Sequence, residues 1–412
     1  MVTPVQIVGQ RSETVRRSNL SAIVRAVHLR GPLSRSELVR HTGLTRSAIR
    51  GLIGELVAGG LLTETRSEPV GAPGRPSPLV HAGPDGVAAV ALEINVDSLA
   101  AAHVGLGGTI SELVRVDRPR AHVTVDEILA DLADLARPIL DSASHNDGLV
   151  GIGVAVAGIV RRSDGLVRLA PNLGWKEVPL GHLLAAAIRS DVPIAIANDA
   201  DLGGLAEHRR GAAVGAADVV YVSGEVGVGG SVTVEGQPLI GAAGYAGEIG
   251  HMIVNPAGSA CGCGSFGCWE TEIGESAMLV RAGRPANGGR AAIEELIAAA
   301  VEGEPAAMAS LERVADWLGI GLASLINIFN PTLIVLGGVL GQIHPLVGTH
   351  IDAAIASRAL PASRQLASVT PGALGVNAPI IGAAELAFEP MLADPAYRLP
   401  SARDARPIRA SA

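Results

Sequence analysis

Hydrophobic residues in the first eighty positions recur at helical spacing in three successive segments. The first segment places four apolar side chains on one helical face, at Leu20, Ile23, Val24 and Val27. Ser34 and Glu37 have the spacing of a capping box, which predicts the start of a second, short helix. That helix is expected to end near His41.

A tight turn separates the second segment from the third. Residues 42–44 read Thr-Gly-Leu and predict the turn, and Thr45 is placed to cap the helix that follows. The apolar stripe of this third helix consists of Ile49, Leu52, Ile53, Leu56 and Val57. Two adjacent glycines, Gly59 and Gly60, are expected to end it. Helix, helix, short glycine turn and helix are typical of a helix-turn-helix module, with a small protein-binding helical bundle as the alternative.

The exposed start of the third helix carries residues predicted to contact DNA. Arg46, Ser47 and Arg50 would reach base edges and phosphates in a major groove. Residues 61–64 predict a strand leaving the helices, and a stretch rich in Pro, Gly and Arg follows. This stretch predicts a wing whose Arg75, held extended by the next proline, would enter an A·T-rich minor groove. Alternatively, it is only a linker to the next domain.

Apolar runs replace the helical stripes from Val87 onward. Runs typical of buried strands occupy 87–94, 99–104, 150–160, 193–197, 218–223, 228–234 and 332–336. Helical patterns lie at 125–140, 181–190 and 306–329. This alternation predicts two α/β lobes with a boundary near Asn198 and a ligand-binding cleft between them.

The same pattern divides the chain into domains. We assign residues 1–80 to a DNA-binding domain with its wing or linker, and 85–197 to a first lobe completed by a C-terminal helix near 380–390. Residues 198–375 are assigned to a second lobe, and 392–412 to a flexible tail.

Charge separates the N-terminal segment from the rest of the chain. Eleven arginines and five glutamates give residues 1–80 a net charge of +6, the remainder carries −14, and the sum is the −8 of the 412-residue chain. A basic head on an acidic body favours an N-terminal nucleic-acid module, although charge alone leaves a solvated basic surface equally open. Because no apolar stretch is long enough to span a bilayer and the start lacks a signal-peptide pattern, we expect a cytoplasmic protein without membrane insertion.

All three cysteines lie in the run Cys-Gly-Cys-Gly-Ser-Phe-Gly-Cys, at Cys261, Cys263 and Cys268. His251 precedes them. Three thiolates and one imidazole fill a tetrahedral Zn²⁺ site and leave no position for water, so we predict a structural zinc ion. The glycines let the backbone turn tightly enough for neighbouring thiols to face one point. The alternative is a set of free or disulfide-bonded cysteines, which an odd and tightly clustered trio fits poorly.

Motifs around the cysteine run resemble those of a known family. Gly-Tyr-Ala-Gly-Glu-Ile-Gly-His occupies 244–251, and Trp-Glu follows at 269–270. Upstream stand Pro-Asn-Leu-Gly-Trp at 171–175 and Asn-Asp-Ala-Asp at 198–201; Asn-Pro-Thr-Leu-Ile-Val-Leu-Gly-Gly follows at 330–338. In this order the motifs resemble the ROK family (repressors, open reading frames and sugar kinases) over nearly the whole chain. The resemblance implies an α/β, two-lobed actin-like/hexokinase-like ATPase fold. The N-terminal winged helix-turn-helix places the chain with the family's transcriptional regulators of the xylose and N-acetylglucosamine type.

The resemblance also implies a set of sugar-contacting positions. They are Asn172, Asn198, Asp199, Glu248, His251 and Glu270. Carboxylates and amides suit vicinal hydroxyls because they accept and donate several hydrogen bonds at fixed angles. His251 is expected to bind Zn²⁺ with one ring nitrogen and the sugar with the other. In the family's kinases the position of Asp199 supplies the general base, so the ATP half of the site distinguishes a regulator from an enzyme.

Both phosphate loops depart from the kinase pattern. Where the kinases have Asp-x-Gly-Gly-Thr, residues 93–97 read Glu-Ile-Asn-Val-Asp; where they have Gly-Thr-Gly-Ile-Gly, residues 225–229 read Glu-Val-Gly-Val-Gly. The added Cβ atoms block close approach of phosphate, and the carboxylate of Asp97 repels it. We therefore predict no enzymatic activity. Asp199 then occupies a vestigial base position and accepts a hydroxyl of the effector.

These observations favour a sugar-responsive DNA-binding transcriptional regulator. We expect a repressor of carbohydrate-utilisation genes that is released by a sugar or sugar-phosphate effector. Its expected partners are operator DNA and further copies of the chain, as a homodimer or a dimer of dimers. The alternatives are an ATP-dependent sugar kinase with an appended DNA-binding domain, and a non-enzymatic scaffold contacted by a transport protein. The sequence names neither the sugar nor the operator.

Overall fold

The structure, a computed structural model, describes residues 12–65, 77–83, 86–118, 120, 123–144 and 148–399. The predicted DNA contact Arg75 lies outside these residues. The chain begins with α1 (Ser12–Arg30), α2 (Arg35–Thr42) and α3 (Arg46–Ala58). Strands β1 (Leu33–Ser34), β2 (Leu62–Thr65) and β3 (Leu79–Ala82) pair antiparallel in the order β1-β3-β2. Three helices with this small sheet form the winged helix-turn-helix that the sequence predicts.

Local hydrogen bonds explain where α2 and α3 begin. The Ser34 hydroxyl accepts from the Glu37 N–H at 3.2 Å, and the Glu37 carboxylate accepts from the Ser34 N–H at 2.8 Å. This confirms the predicted capping box. Gly43 ends α2 with a φ of 70°, and the Thr45 hydroxyl caps α3 by accepting from the Ala48 N–H at 3.3 Å. The turn between the two helices is therefore determined by residues within it.

The first lobe is built on a five-stranded mixed sheet. Its strands are β4 (Ala88–Ile94), β5 (Ser98–Gly105), β6 (Ile110–Asp117), β7 (Leu149–Val156) and β11 (Ile194–Asn198). The sheet order is β11-β7-β4-β5-β6, with β4, β5 and β6 antiparallel and β11, β7 and β4 parallel. A second, small antiparallel sheet contains β8 (Ile159–Arg161), β9 (Leu166–Ala170) and β10 (Trp175–Val178). The helices are α4 (Val125–Ser144) and α5 (Leu180–Ile188).

One predicted strand is divided in the structure. The apolar run at 150–160 was expected to form a single strand, but β7 ends at Val156 and β8 begins at Ile159 in a different sheet. Gly158 turns the chain with a φ of 144°, a conformation that favours glycine. Because the run is apolar on both sides of this turn, its hydrophobic pattern contains no boundary.

The second lobe repeats the arrangement of the first. It contains β12 (Val219–Gly224), β13 (Val228–Val234), β14 (Gln237–Pro238), β15 (Leu333–Gly337) and β16 (Ser368–Pro371). Their order is β14-β13-β12-β15-β16, again a run of antiparallel strands followed by parallel ones. The helices between them are α7 (Glu270–Ile273), α8 (Glu275–Arg281), α9 (Gly289–Val301), α10 (Pro305–Phe329), α11 (Gly338–Ala356) and α12 (Pro361–Arg364). Two lobes of the same topology agree with the predicted fold class.

Two helices carry the described chain between the lobes. Helix α6 (Asp199–Arg210) leaves the end of β11 and leads to β12, and α13 (Ala378–Ala393) returns from β16 to pack on β7 and β4. Glycines in β7 permit close packing, because a Cβ atom at Gly153 would collide with the Ala383 carbonyl oxygen. One continuous apolar core joins Ile23 of α1 to Phe388 of α13, so the DNA-binding module is docked on the first lobe.

The end of the described chain differs from the flexible tail expected at 392–412, because α13 continues to Ala393 and the residues after it are packed. Leu392 is buried, the Ser21 hydroxyl of α1 donates to its carbonyl oxygen at 2.6 Å, and Leu399 packs against the core containing α1. The apolar side chains of 392–399 thus anchor this segment, whereas 400–412 lie outside the described residues. None of the described helices has the length and apolar character needed to cross a lipid bilayer.

Candidate functional site

A cleft with an empty volume of about 830 Å³ lies between the two lobes. It sits where the parallel strands β4, β7 and β11 end, the usual position for ligands in open α/β sheets. The structure brings all six predicted sugar-contacting residues to its walls: Asn172, Asn198, Asp199, Glu248, His251 and Glu270. These six polar side chains, set among apolar and glycine residues of the wall, suit a small ligand with several hydroxyl groups.

Asn198 has a structural role in addition to lining the cleft. As the N-cap of α6, its side-chain oxygen accepts from the N–H groups of Ala200 and Asp201 at 2.8 and 3.0 Å. Its amide nitrogen donates to the Gly158 carbonyl oxygen at 3.0 Å. One amide N–H is left for a ligand, so Asn198 mainly holds the start of α6 against the turn after β7.

Three carboxyl groups in the cleft have raised pKa values. Burial raises the pKa of Asp199 to about 6, with the charge of Glu93 adding to the effect. Burial and the nearby carboxylates of Asp201 and Asp199 raise the pKa of Glu248 to about 7, and burial raises that of Glu225 to about 7. Near neutral pH each of these groups exists in both ionised and protonated forms. The ionised form accepts hydrogen bonds from hydroxyls, and the protonated form can also donate one.

Glu270 and Asn172 approach each other across the cleft beside Gly227. A Cβ atom at Gly227 would collide with the Glu270 carboxylate and lie 3.2 Å from the Asn172 amide nitrogen. Glu270 also accepts from the Val228 N–H at 3.2 Å and from the Cys261 thiol at 3.3 Å. A side chain at position 227 would displace the Glu270 carboxylate and crowd the Asn172 amide, so glycine leaves room for both.

The predicted metal ligands His251, Cys261, Cys263 and Cys268 form one cluster, with ligand atoms all within 4.8 Å of one another. Cys263 Sγ lies 3.7 Å from Cys268 Sγ, and His251 Nδ1 lies 3.6 Å from Cys261 Sγ. Tetrahedral zinc with Zn–S bonds of about 2.3 Å separates its sulfurs by about 3.8 Å, whereas a disulfide requires about 2.05 Å. The donor set and its spacing fit Zn²⁺ and do not fit a disulfide.

The metal cluster and the cleft share residues. His251 and Cys263 line the cleft, and Glu270 contacts Cys261. His251 directs Nδ1 towards the sulfurs, so Nε2 is the ring nitrogen left for a ligand. An ion held by these four side chains would fix the orientation of His251.

Acidic residues surround the region where the kinase pattern would place phosphate. A neighbouring pocket of about 440 Å³ is lined by Asp97, Glu225, Glu275, Glu294 and a single arginine, Arg290. Arg120 donates to Asp97 at 3.0 Å and to both carboxylate oxygens of Glu275 at 2.5 and 2.7 Å. It thereby ties the first lobe to the second. Four acidic side chains disfavour a polyphosphate in this pocket, Arg120 is already paired, and Arg290 is the one arginine among the lining residues.

Some side chains that support the site could not be identified from the sequence. Arg120 and Arg162 lie in segments without a recognisable motif, and neither was predicted. The Arg162 guanidinium pairs with Asp201 at 2.8 Å and so supports the start of α6 from the turn after β8. A match of charge between residues 39 positions apart is visible only in three dimensions.

The predicted DNA-contacting residues Arg46, Ser47 and Arg50 are exposed on the first turns of α3. Other arginines of this module are engaged, as Arg16 with Glu55 and Arg35 with Glu64 illustrate. Arg46 and Arg50, in contrast, have no ion-pair partner within the described part of the chain. Unpaired guanidinium groups at the start of a recognition helix are free to contact a nucleic acid.

The winged helix-turn-helix and the polar interlobe cleft define a two-lobed ligand-binding protein with a DNA-binding module. The chain belongs to the ROK family, whose model matches residues 89–389.

Known proteins similar to this chain include regulators and kinases. The xylose repressor of Bacillus spizizenii is 27% identical over 380 residues, which cover 92% of this chain and 97% of the repressor. The glucokinase of Streptomyces coelicolor is 30% identical over 318 residues, which cover 73% of this chain and 98% of the kinase. The crystal structure of a ROK family transcriptional regulator, a homologue of the Escherichia coli Mlc protein, superposes with a TM-score of 0.75 at 26% identity, covering 92% of this chain and 97% of that one.

Proposed function

We propose that this chain is a sugar-responsive transcriptional repressor that binds DNA and does not phosphorylate sugars. One observation carries the proposal. The cleft has six polar side chains suited to hydroxyl groups, while the adjoining phosphate region is lined by four acidic side chains and one arginine, and Arg120 is paired with Asp97 and Glu275. Such a protein can bind a sugar but offers ATP no favourable place.

The similar proteins support the same function. The matches to a xylose repressor and to a ROK transcriptional regulator each cover 92% of the chain, whereas the glucokinase match covers 73%. The regulators therefore match a longer part of this chain than the glucokinase does. We attribute the difference to the N-terminal winged helix-turn-helix, which carries unpaired arginines on α3. A sugar effector is supported by both relatives, since one is a xylose repressor and the other is a glucokinase.

Binding would act through the relative position of the lobes. A sugar that contacts Asn172 on one side and Glu248 and Glu270 on the other favours a closed cleft over an open one. It controls DNA binding only to the extent that its affinity differs between these two states. In a homodimer, closure would change the spacing of the two DNA-binding modules and release a palindromic operator.

A structural Zn²⁺ ion would support the cleft. His251, Cys261, Cys263 and Cys268 would hold it, and the ion would keep His251 and the loop before Glu270 in position. With four protein ligands, no coordination position would be left for a sugar hydroxyl. The metal therefore shapes the pocket and has no direct contact with the effector.

A sugar screen followed by DNA titration tests the proposal. Purified protein is screened by thermal shift against glucose, xylose, N-acetylglucosamine and their phosphates; a ligand at about 100 times its Kd stabilises by roughly 2.7 kcal/mol. The DNA probe is a duplex selected by the protein from a random library. We expect one sugar class to raise Tm and to weaken DNA binding about 5- to 150-fold, the usual range of such coupling. Absence of specific DNA binding would contradict the proposal.

A further inference from the structure

Helix α6 has one end in the cleft and the other beside the DNA-binding module. It begins at Asp199, directly after the cleft residue Asn198, and ends at Arg210. Twelve residues make a helix about 18 Å long. Arg209 and Arg210 at its far end take part in a group of six side chains, here called the junction cluster. The cluster consists of Arg25 and His28 of α1, Arg209 and Arg210 of α6, and Glu385 and Glu389 of α13.

Glu385 is the centre of the junction cluster and is only 1% exposed. It accepts hydrogen bonds from His28 at 3.0 Å, from Arg209 at 3.1 Å and from Arg210. Burial alone would raise the pKa of Glu385, but the hydrogen bond from His28 and the charges of Arg210 and Arg209 lower it to about 2. Glu385 is therefore ionised at physiological pH and holds both arginines of α6.

Both ring nitrogens of His28 are engaged. The Gly107 N–H donates to Nδ1 at 3.0 Å, and Nε2 lies 3.0 Å from the Glu385 carboxylate and 2.9 Å from the Arg210 guanidinium. Arg210 also donates to the Gly107 carbonyl oxygen at 2.7 Å and to the His28 carbonyl oxygen at 3.3 Å. The C-terminal end of α6 thus binds the last turn of α1 directly.

A second set of contacts connects the same helices. Glu389 accepts from Arg25 of α1 at 2.9 Å and from Arg209 of α6. Arg209 therefore joins both glutamates of α13, and Glu389 joins α6 to α1. Buried and partly buried ion pairs of this kind are sensitive to geometry, because a displaced charge loses its partner without gaining water.

Movement of the lobes relative to each other must pass through α6. On one side Gly203 and Gly204 of α6 lie so close to Tyr221 and Ser231 of the second lobe that Cβ atoms would collide with them. On the other side Gly382 of α13 meets the backbone of α6 with equal closeness. Because α6 is packed between the second lobe and α13, a rotation of the lobes shifts α6 along or about α13. Tightly packed interfaces respond to such shifts by switching between discrete arrangements.

We infer that α6 transmits the state of the cleft to the DNA-binding module through the junction cluster. The inference rests on the proposed function and identifies how its two sites communicate. A ligand that contacts Asp199 and closes the cleft moves Arg209 and Arg210 relative to Glu385 and Glu389. The contacts of α1 with α13 change with them, and so does the position of α3 on the first lobe.

A double-mutant cycle in the free protein tests the relay without sugar or DNA. Asn198→Ala removes the N-cap of α6 in the cleft, and Glu389→Gln removes one charge of the junction cluster at a partly exposed position where glutamine fits. Hydrogen exchange of α1 amides is measured by mass spectrometry in the parent, both single variants and the double variant. Changes at sites more than about 7–10 Å apart normally add. We expect a departure from additivity of about threefold or more in the exchange rate of α1.

Two controls make the cycle specific. Asn198→Ser retains a capping oxygen without placing a carboxylate against the Gly158 carbonyl oxygen, and should leave α1 exchange closer to the parent rate than Asn198→Ala does. Glu304→Gln removes the charge of a surface pair with Arg284 in the second lobe, and its effect should be additive with Asn198→Ala. Additive behaviour of Asn198→Ala with Glu389→Gln, or an unchanged α1 in Asn198→Ala, would overturn the inference.

The functional consequence is measured separately. The ratio of DNA affinities without and with the sugar identified by thermal shift should be about tenfold or more in the parent and near one in Glu389→Gln, while the DNA affinity without sugar and the sugar affinity without DNA each change less than about twofold. A retained ratio would refute the relay. If the parent binds neither sugar nor selected DNA, the proposed function fails, and the exchange cycle still decides whether α6 and α1 are coupled.

Discussion

At the scale of single residues, the cleft contains several buried carboxyl groups whose negative charges repel one another. Asp199, Glu225 and Glu248 each have a raised pKa because burial disfavours their charged forms. Their presence costs stability, as is common for residues that serve ligand binding.

The stability cost of Asp199 depends on pH. Its pKa in the folded chain is about 6, above the ordinary value of 3.8, so the folded state holds the proton more tightly than the unfolded state. This tighter binding of the proton adds to the free energy of unfolding below about pH 4, and the contribution is lost as pH rises through 6. We expect Asp199→Asn to be close to the parent in urea unfolding at pH 4 and to be more stable by up to about 3 kcal/mol at pH 7.5, since one pKa unit corresponds to about 1.4 kcal/mol. Equal stability of the two proteins at pH 7.5 would show that Asp199 is not strained by burial.

Asp199→Asn should also weaken binding of the sugar effector. Asparagine cannot accept as many hydrogen bonds from hydroxyls as a carboxylate. Sugar affinity of Asp199→Asn, measured by calorimetry, is expected to fall about tenfold or more while DNA affinity without sugar is retained. Asp164→Asn, at an exposed turn outside the cleft, is the matched control and should bind sugar normally. If Asp199→Asn bound sugar as the parent does, Asp199 would not be a sugar-contacting residue.

At the scale of elements, we expect the loop of residues 251–268 to depend on the Zn²⁺ ion proposed for its four candidate ligands. Purified protein should contain about one Zn²⁺ per chain by elemental analysis. Cys263→Ser should lose the metal and also weaken sugar binding, because Cys263 and His251 line the cleft. Ser265→Ala alters the same loop without removing a ligand and should retain both. Metal-free protein that binds its sugar normally would contradict the proposed role of zinc.

The recognition helix gives a second prediction at this scale. Arg50→Ala removes an unpaired arginine from the exposed face of α3 and should cost about 1–3 kcal/mol on the selected duplex, with less discrimination against scrambled DNA. Arg30→Ala is the matched control, since Arg30 is an exposed arginine in the last turn of α1 and is not part of α3. Both are titrated at one fixed salt concentration. Equal losses for the two variants would indicate that α3 does not read bases.

At the scale of the whole molecule, the question is whether the two lobes still form a kinase. A general base contributes about 10²–10⁴-fold, whereas phosphoryl transfer depends mainly on positioning and neutralising phosphate. Here Asp97, Glu225 and Glu275 face that region and Arg120 is occupied. We expect no sugar phosphorylation above background from labelled ATP across the sugar panel, with a family glucokinase as positive control. Turnover comparable to that glucokinase would favour the kinase alternative.

Local signals explain why much of the fold was predictable. Ser34, Glu37 and Thr45 mark helix starts within a few residues of themselves, and the apolar runs of β4, β7 and β13 mark buried strands. Strand β6 was missed because it is half-exposed and lacks a continuous apolar run. Helix α11 was missed because glycines and an internal Pro345 obscure its helical pattern.

The sequence by itself determined the helix-turn-helix, the main buried strands and the donor set of the metal cluster. These features depend on residues close together in the chain, or on residue types that suit only one chemistry. Tertiary structure alone decided that Arg120 joins Asp97 to Glu275, partners 23 and 155 positions away. It also decided the raised pKa of Asp199 and the contact of α6 with α1. Burial and long-range ion pairs depend on how separate segments pack, and packing is set by the whole core and by no single motif.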